Sequence, residues 1–234
     1  MMSAKKLSGK GSSYYLISLD MNPEDDRGSE AVLGRLRGNA VGSEYMITDA
    51  GVTAGKTRLS SIIRKELAYI HFDYDSTGPS RTTVWVPEVT PLGASRAWQP
   101  EVDTDGIEAC VKAKKSEGLM ELQNKRPRWD AKHGGHVLNF NGRVTESSVK
   151  NFQMSCLSLP SEQERDSVVL QFGKKEGRDM FSLDVDWPLS PLQAFGLCVA
   201  SIDRKIADRK GYEFARKAYG FVFGGGPSHN AESK

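Results

Sequence analysis

The stretch from Ser190 to Ala207 limits what this chain can fold into more than any other part of it. Ser190, Pro191 and Gln193 form a helix start. The serine hydroxyl suits the N–H of residue 193, the glutamine can reach back to residue 190, and proline at the first helical position gives up an N–H that has no partner there. Beyond it, Leu192, Ala194, Phe195, Leu197, Cys198, Val199, Ala200, Ile202, Ile206 and Ala207 leave almost no polar face. A surface helix carries a polar stripe, whereas a helix that is apolar all round must be enclosed by protein. Gly196 sits inside it. Glycine costs a helix interior about 1 kcal/mol, so its presence predicts a close approach by whatever encloses the helix.

The rest of the chain supplies the enclosure. Short β-branched and aromatic runs recur between turn residues, at Tyr14–Leu19, Glu44–Thr48, Thr82–Val86, Val137–Phe140, Ser167–Phe172 and Met180–Val185. They read as antiparallel strands, and no alternation of strand with helix is visible. Gly134-Gly135 and Asn141-Gly142 are hairpin signals because such residues tolerate a positive φ. Asp20–Ser29, Ser76–Ser80 and Asp103–Gly118 read as loops, the last with a solvated basic stretch at Lys112, Lys114 and Lys115. A β-rich chain around one buried helix predicts a mainly β (α+β) fold in which the sheet closes into a barrel and removes its own edges.

Composition narrows the function. The 234 residues suit one barrel domain with tails. No apolar run nears the roughly 20 residues of a spanning helix, and residues 1–11 carry Lys5, Lys6 and Lys10 without the apolar centre of a secretory signal. Cytosol or nucleus is the expected compartment. Three cysteines, Cys110, Cys156 and Cys198, lack metal-ligand spacing and read as packed or free thiols. A net charge of +2 is too small to identify a nucleic-acid binder, so any anion site must arise from local clustering.

The run from Asn139 through Asn141-Gly142-Arg143-Val144-Thr145 to Asn151-Phe152-Gln153 resembles the first signature of the Tubby family, and Ala194–Lys205 is similar to the second. Further similar stretches are Ser13–Ser18, Gly34–Asn39, Arg64–Ala68, Glu121–Lys125 and Gln171–Lys174. The resemblance implies a closed twelve-stranded antiparallel barrel threaded by the hydrophobic C-terminal helix. The expected organisation is a flexible basic N-terminus over 1–11, a Tubby-like barrel over 12–208, and a partly disordered extension over 209–234.

By the same resemblance, Arg35 and Arg37 correspond to the basic strand residues of a pocket for phosphatidylinositol 4,5-bisphosphate, and Arg64 to a third basic residue. Tyr14 takes the place of the family's asparagine, which bears on which ring isomer is preferred. The spacing fits: residues i and i+2 of a strand face one side about 7 Å apart, and arginine forks match phosphate oxygens. Arginines at alternate strand positions are otherwise simply the solvated face of a sheet. The implied function is a peripheral membrane adaptor at the inner face of the plasma membrane, tethering or delivering membrane-protein cargo, with ciliary or nuclear roles in the family. The long N-terminal extension that carries partner-binding segments in the family is not part of this sequence, which weakens the ciliary expectation. The alternative is a DNA-binding transcription regulator. No pattern identifies the cargo or the oligomeric state.

Residues 50–57, from Ala50 to Lys56-Thr57, satisfy a relaxed phosphate-loop pattern, but that loop requires a following helix in a parallel sheet. Asp130, His133 and His136 flank a predicted hairpin without a fourth metal ligand. Asp184 and Asp186 read as solvated acids, and no cysteine has a histidine beside it. The chain therefore reads as a binding module, with no catalytic residue, cofactor or metal expected. Beyond Asp203, basic residues from Arg204 to Lys217 alternate with Tyr212, Phe214, Tyr219, Phe221 and Phe223. That mixture suits either a membrane interface or packing against the barrel.

Overall fold

The computed structural model describes residues 1–7, 12–23, 29–53, 56–57, 59–73, 81–90, 92–131, 135–177 and 179–203. Its strands are β1 (Ser3–Lys6), β2 (Tyr14–Ser18), β3 (Val32–Gly38), β4 (Glu44–Asp49), β5 (Glu66–Asp73), β6 (Arg81–Pro87), β7 (Leu119–Asn124), β8 (Arg128–Asp130), β9 (Gly135–Val137), β10 (Phe152–Cys156), β11 (Leu170–Lys174) and β12 (Phe181–Val185). The helices are α1 (Ile107–Lys112), α2 (Glu162–Asp166) and α3 (Pro191–Asp203). Ten strands form one sheet in the order β1-β2-β3-β4-β5-β6-β7-β10-β11-β12, and β8 pairs with β9 separately. Each neighbouring pair in the large sheet is antiparallel.

Alternation along the strands explains why this sheet bends around α3. Ala68, Ile70 and Phe72 of β5 all face one cluster, as do Val84 and Val86 of β6, Leu122 of β7, Met154 of β10 and Leu170 of β11. Ala194, Leu197, Cys198 and Ala200 of α3 belong to the same cluster. A single apolar cluster fed from successive strands and from the helix requires the sheet to curl about it, as expected for a helix without a polar face. The helix start is also as anticipated. The Ser190 N–H donates to Gln193 Oε1 at 2.7 Å, and the Gln193 N–H donates to Ser190 Oγ at 3.3 Å. Gln193 further donates from Nε2 to the Leu67 carbonyl at 2.8 Å, so the cap also fastens α3 to β5.

The closed twelve-stranded barrel requires correction, because β1 and β12 end the ten-stranded sheet without pairing to each other. The last turn of α3 is bonded to β1 and to the loop that precedes β10. Lys6 of β1 pairs with Asp203 at 2.5 Å, and Lys150 Nζ donates to the Ser201 carbonyl at 3.0 Å. Asp203 also accepts from Tyr15 and Tyr45 hydroxyls at 2.6 and 3.1 Å. Burial alone would raise the Asp203 pKa, but its bonds to Lys6, Ser13 and Tyr15 outweigh that and hold it below the ordinary value of 3.8. Ser3–Lys6, expected within a flexible tail, is thus an edge strand paired to β2 and fastened by Lys6.

Local expectations met mixed outcomes. Asn141 and Gly142 adopt φ of 49° and 76°, closing a turn in which the Arg143 N–H donates to the Phe140 carbonyl at 2.9 Å. The strand expected over Val137–Phe140 reaches only Val137, in β9. The Asp103–Gly118 loop contains α1. Its N-terminal acceptor is remote: Glu66 Oε2 accepts from the Ile107 N–H at 2.6 Å, and Ile107 is fully buried. Asp184 is bound by Arg143 through Nε and Nη2 at 2.9 and 2.6 Å, not merely solvated. His133, the side chains of Asp130 and His136, and everything after Asp203 lie outside the described residues.

A Cβ added at Gly196 would lie 2.6 Å from Ile47 Cδ1 on β4, which is the close approach anticipated for this glycine. Removing that methyl should relieve the contact. In a double-mutant cycle read by denaturant unfolding, Gly196→Ala is expected to be at least about 1 kcal/mol more favourable in an Ile47→Val background than with Ile47 present. Additive effects would show that the approach does not govern this position.

Candidate functional site

The face of β3 turned away from α3 carries Arg35 and Arg37, flanking Leu36, which is fully buried in the core. Register places their neighbours: Tyr14 of β2 lies opposite Arg37, Thr48 of β4 opposite Arg35, and Met46 opposite Arg37. These residues form part of the lining of a cavity of about 570 Å³, which Arg64, Thr53 and residues between Pro100 and Lys112 complete. All four residues predicted from the sequence, Tyr14, Arg35, Arg37 and Arg64, line this one cavity.

Each arginine is held in a different way. Arg35 is only 9% exposed and donates to the Ala50 carbonyl at 2.9 Å, which fixes one arm and leaves the others to the cavity. Arg37 is exposed and stacks over the Tyr14 ring, with its guanidinium carbon 5.6 Å from the ring centroid. Tyr14 therefore serves as a platform for Arg37, a contact an asparagine could not make. Arg64 donates to Thr53 Oγ1 at 3.1 Å. Among the described residues, none of these guanidiniums forms an ion pair with a carboxylate. Burial, followed by repulsion from Arg37 and Arg35, lowers the Arg64 pKa below its ordinary value. Positive charges that repel one another inside a partly buried cavity stabilise a bound anion more than dispersed charges do.

The loop with the phosphate-loop pattern turns out to position Arg64. It joins β4 to the antiparallel β5, and Val52 bridges Ile63: the Val52 N–H donates to the Ile62 carbonyl and the Arg64 N–H to the Val52 carbonyl, each at 2.8 Å. A Cβ at Gly51 would stand 2.6 Å from Arg64 Cα and 2.9 Å from Asp49 Oδ1. Glycine is thus required by close backbone approach, not by a nucleotide phosphate.

The cavity also has an acidic side that the sequence reading missed. Glu66, Glu101, Asp103 and Glu108 contribute to the lining, as does Lys112, which pairs with Glu44 and Glu108 at 2.9 and 2.6 Å. Burial raises the Glu66 pKa, partly offset by the Ile107 N–H and by Arg64. The missing signal was the folding of residues 103–112 onto β5. Ile107, Cys110 and Val111 carry the i, i+3, i+4 spacing of a helix face, and the acceptor at Glu66 lies 41 residues upstream.

The fold is a mainly β sheet curled around an apolar C-terminal helix, with arginines clustered on its outer face. The Tub family model matches residues 1–204, and the chain belongs to that family. It is 37% identical to mouse Tubby-related protein 2 over 213 residues, covering 88% of this chain and 37% of that protein. It is 35% identical to human Tubby-related protein 3, covering 88% of this chain and 47% of that one, and 32% identical to Tubby protein homolog 1 of Caenorhabditis elegans, covering 88% and 49%. The chain thus spans less than half the length of these relatives.

Gly51→Ala is expected to reduce stability by about 1–3 kcal/mol, read by denaturant unfolding, because the added methyl meets backbone rather than a flexible side chain. An unchanged midpoint would show that the loop relaxes freely.

Proposed function

We propose that this Tub-family domain binds a phosphoinositide headgroup, with phosphatidylinositol 4,5-bisphosphate the expected lipid, and acts as a peripheral membrane adaptor rather than an enzyme. The observation that carries this reading is the convergence of Arg35, Arg37 and Arg64 on one cavity without carboxylate partners among the described residues. Arg35 is held rigidly and presents a fork to one phosphate, Arg37 rests on Tyr14 to meet a second, and Arg64 closes from the neighbouring loop. A pre-positioned cluster loses little side-chain entropy on binding.

The adaptor works at the inner face of the plasma membrane, tethering or delivering membrane-protein cargo, with cilium and nucleus as further sites suggested by the family resemblance. No helix among the described residues is long and apolar enough to cross a membrane. The acidic side of the cavity supports a headgroup of limited size over duplex DNA, because a polyanion laid across the lining would meet Glu101 and Asp103.

Arg35→Ala/Arg37→Ala is expected to weaken binding to vesicles carrying phosphatidylinositol 4,5-bisphosphate by about a hundredfold. Wild type should prefer that lipid over its bisphosphate isomers and over phosphatidylserine at matched charge. Equal binding to every anionic vesicle, or tight binding to duplex DNA instead, would reject the pocket. Conversely, Glu101→Gln/Asp103→Asn is expected to raise headgroup affinity several-fold and to weaken discrimination between bisphosphate and trisphosphate headgroups, measured by calorimetry. Unchanged affinity would place these carboxylates too far away to act.

A further inference from the structure

The loop that carries Thr53 and Arg64 also carries exposed apolar side chains. Leu59 is 63% exposed, Ile62 44% and Val52 37%, and Val102, in the cavity lining, is 56% exposed. Scattered singly, such residues require no explanation. These are not scattered. The Val52 N–H donates to the Ile62 carbonyl, and the Ile62 N–H to the Leu59 carbonyl at 3.3 Å. Val52 immediately precedes Thr53, the residue that receives the Arg64 guanidinium. Apolar residues and a cavity cation are therefore parts of one hydrogen-bonded loop.

Charge on the same loop indicates what covers it. Lys56 and Lys65 are exposed and form no ion pair among the described residues. Of the two acids at the loop's base, Asp49 is occupied by backbone N–H groups of Gly51 and Lys65, both at 2.9 Å, and Glu66 by the Ile107 N–H at 2.6 Å. A protein partner with an apolar patch would not call for cations on both flanks. An anionic bilayer provides both components, a negative headgroup layer and hydrocarbon a few ångströms beneath it.

We infer that Val52, Leu59 and Ile62 form an apolar rim that enters the headgroup–acyl boundary of an anionic lipid bilayer while the adjoining cavity holds a headgroup. This rests in part on the phosphoinositide reading and adds a second contact to it. Headgroup recognition and insertion then act as two linked binding events, each raising the effective concentration of the other. Binding to a lipid in a bilayer should accordingly be tighter than binding to the same headgroup free in water, and part of it should resist salt.

The test compares wild type with Leu59→Ser/Ile62→Ser, both replacements at exposed positions. Three probes are used: soluble inositol 1,4,5-trisphosphate, phosphatidylcholine vesicles containing phosphatidylinositol 4,5-bisphosphate, and a phosphatidylserine-containing monolayer at controlled surface pressure. The expected result is unchanged affinity for the soluble headgroup, at least tenfold weaker vesicle binding, and loss of the wild-type rise in surface pressure. Equal vesicle binding and equal pressure rise by the two proteins would overturn the rim. So would a variant that differs only in sedimentation without lipid, which would assign the patch to self-association. If neither protein binds the soluble headgroup, the pocket reading fails, and the monolayer alone then decides the rim: a pressure rise specific to wild type upholds it, and equal rises reject it.

Discussion

Everything in this fold depends on enclosing α3. A helix whose buried positions include Gln193, Ala194, Gly196, Leu197, Cys198, Ala200 and Ser201 is insoluble as an isolated element, and the sheet is insoluble without a filling for its concave face. The two deficits cancel. Gly196 opposite Ile47 and Gly34 opposite Leu192 show how closely helix and wall approach on the β3–β4 side. That side also carries the arginines on its reverse face. The cavity is therefore built on the part of the sheet that the helix supports most directly, which suits residues that must hold position against mutual repulsion.

The cavity shows how a nearly neutral chain gathers cations on one side of a site. Net charge is +2, yet Arg35, Arg37 and Arg64 converge while acids nearby are engaged elsewhere: Glu66 by the start of α1, Glu44 and Glu108 by Lys112. Backbone contacts at Ala50 and Gly51 and the ring of Tyr14 do the positioning. The result is local polarity, with cations on the strands and carboxylates on the segment around α1.

What could be read from the sequence follows from how local each cause is. The capped start of α3 was legible because Ser190 and Gln193 bond to each other three residues apart. The turn at Asn141-Gly142 was legible because positive φ selects those residues. Arg35, Arg37, Arg64 and Tyr14 came from similarity to the family, since alternate arginines on a strand do not by themselves announce a cavity. The acidic side escaped notice because α1 is stabilised by a carboxylate from β5, and no local pattern encodes a cap from so far away. Closure of the barrel was overestimated because period-2 alternation reports that a strand has a buried face but not whether its outer edge finds a partner. β1 was missed for a related reason: four residues carry too little pattern, and their place is fixed by Lys6 reaching Asp203.

The Lys6–Asp203 contact has a topological consequence. It joins positions 197 residues apart in the chain, so the end of the first strand that leads on to β2 lies beside the end of the last described helix. The contact holds β1 to α3, and the cavity lies on another part of the surface, on the outer face of β3. Cutting the chain elsewhere would leave β1 fastened to the end of α3 through this one ion pair, so the first strand would stay in place through a side chain and not only through its connection to β2.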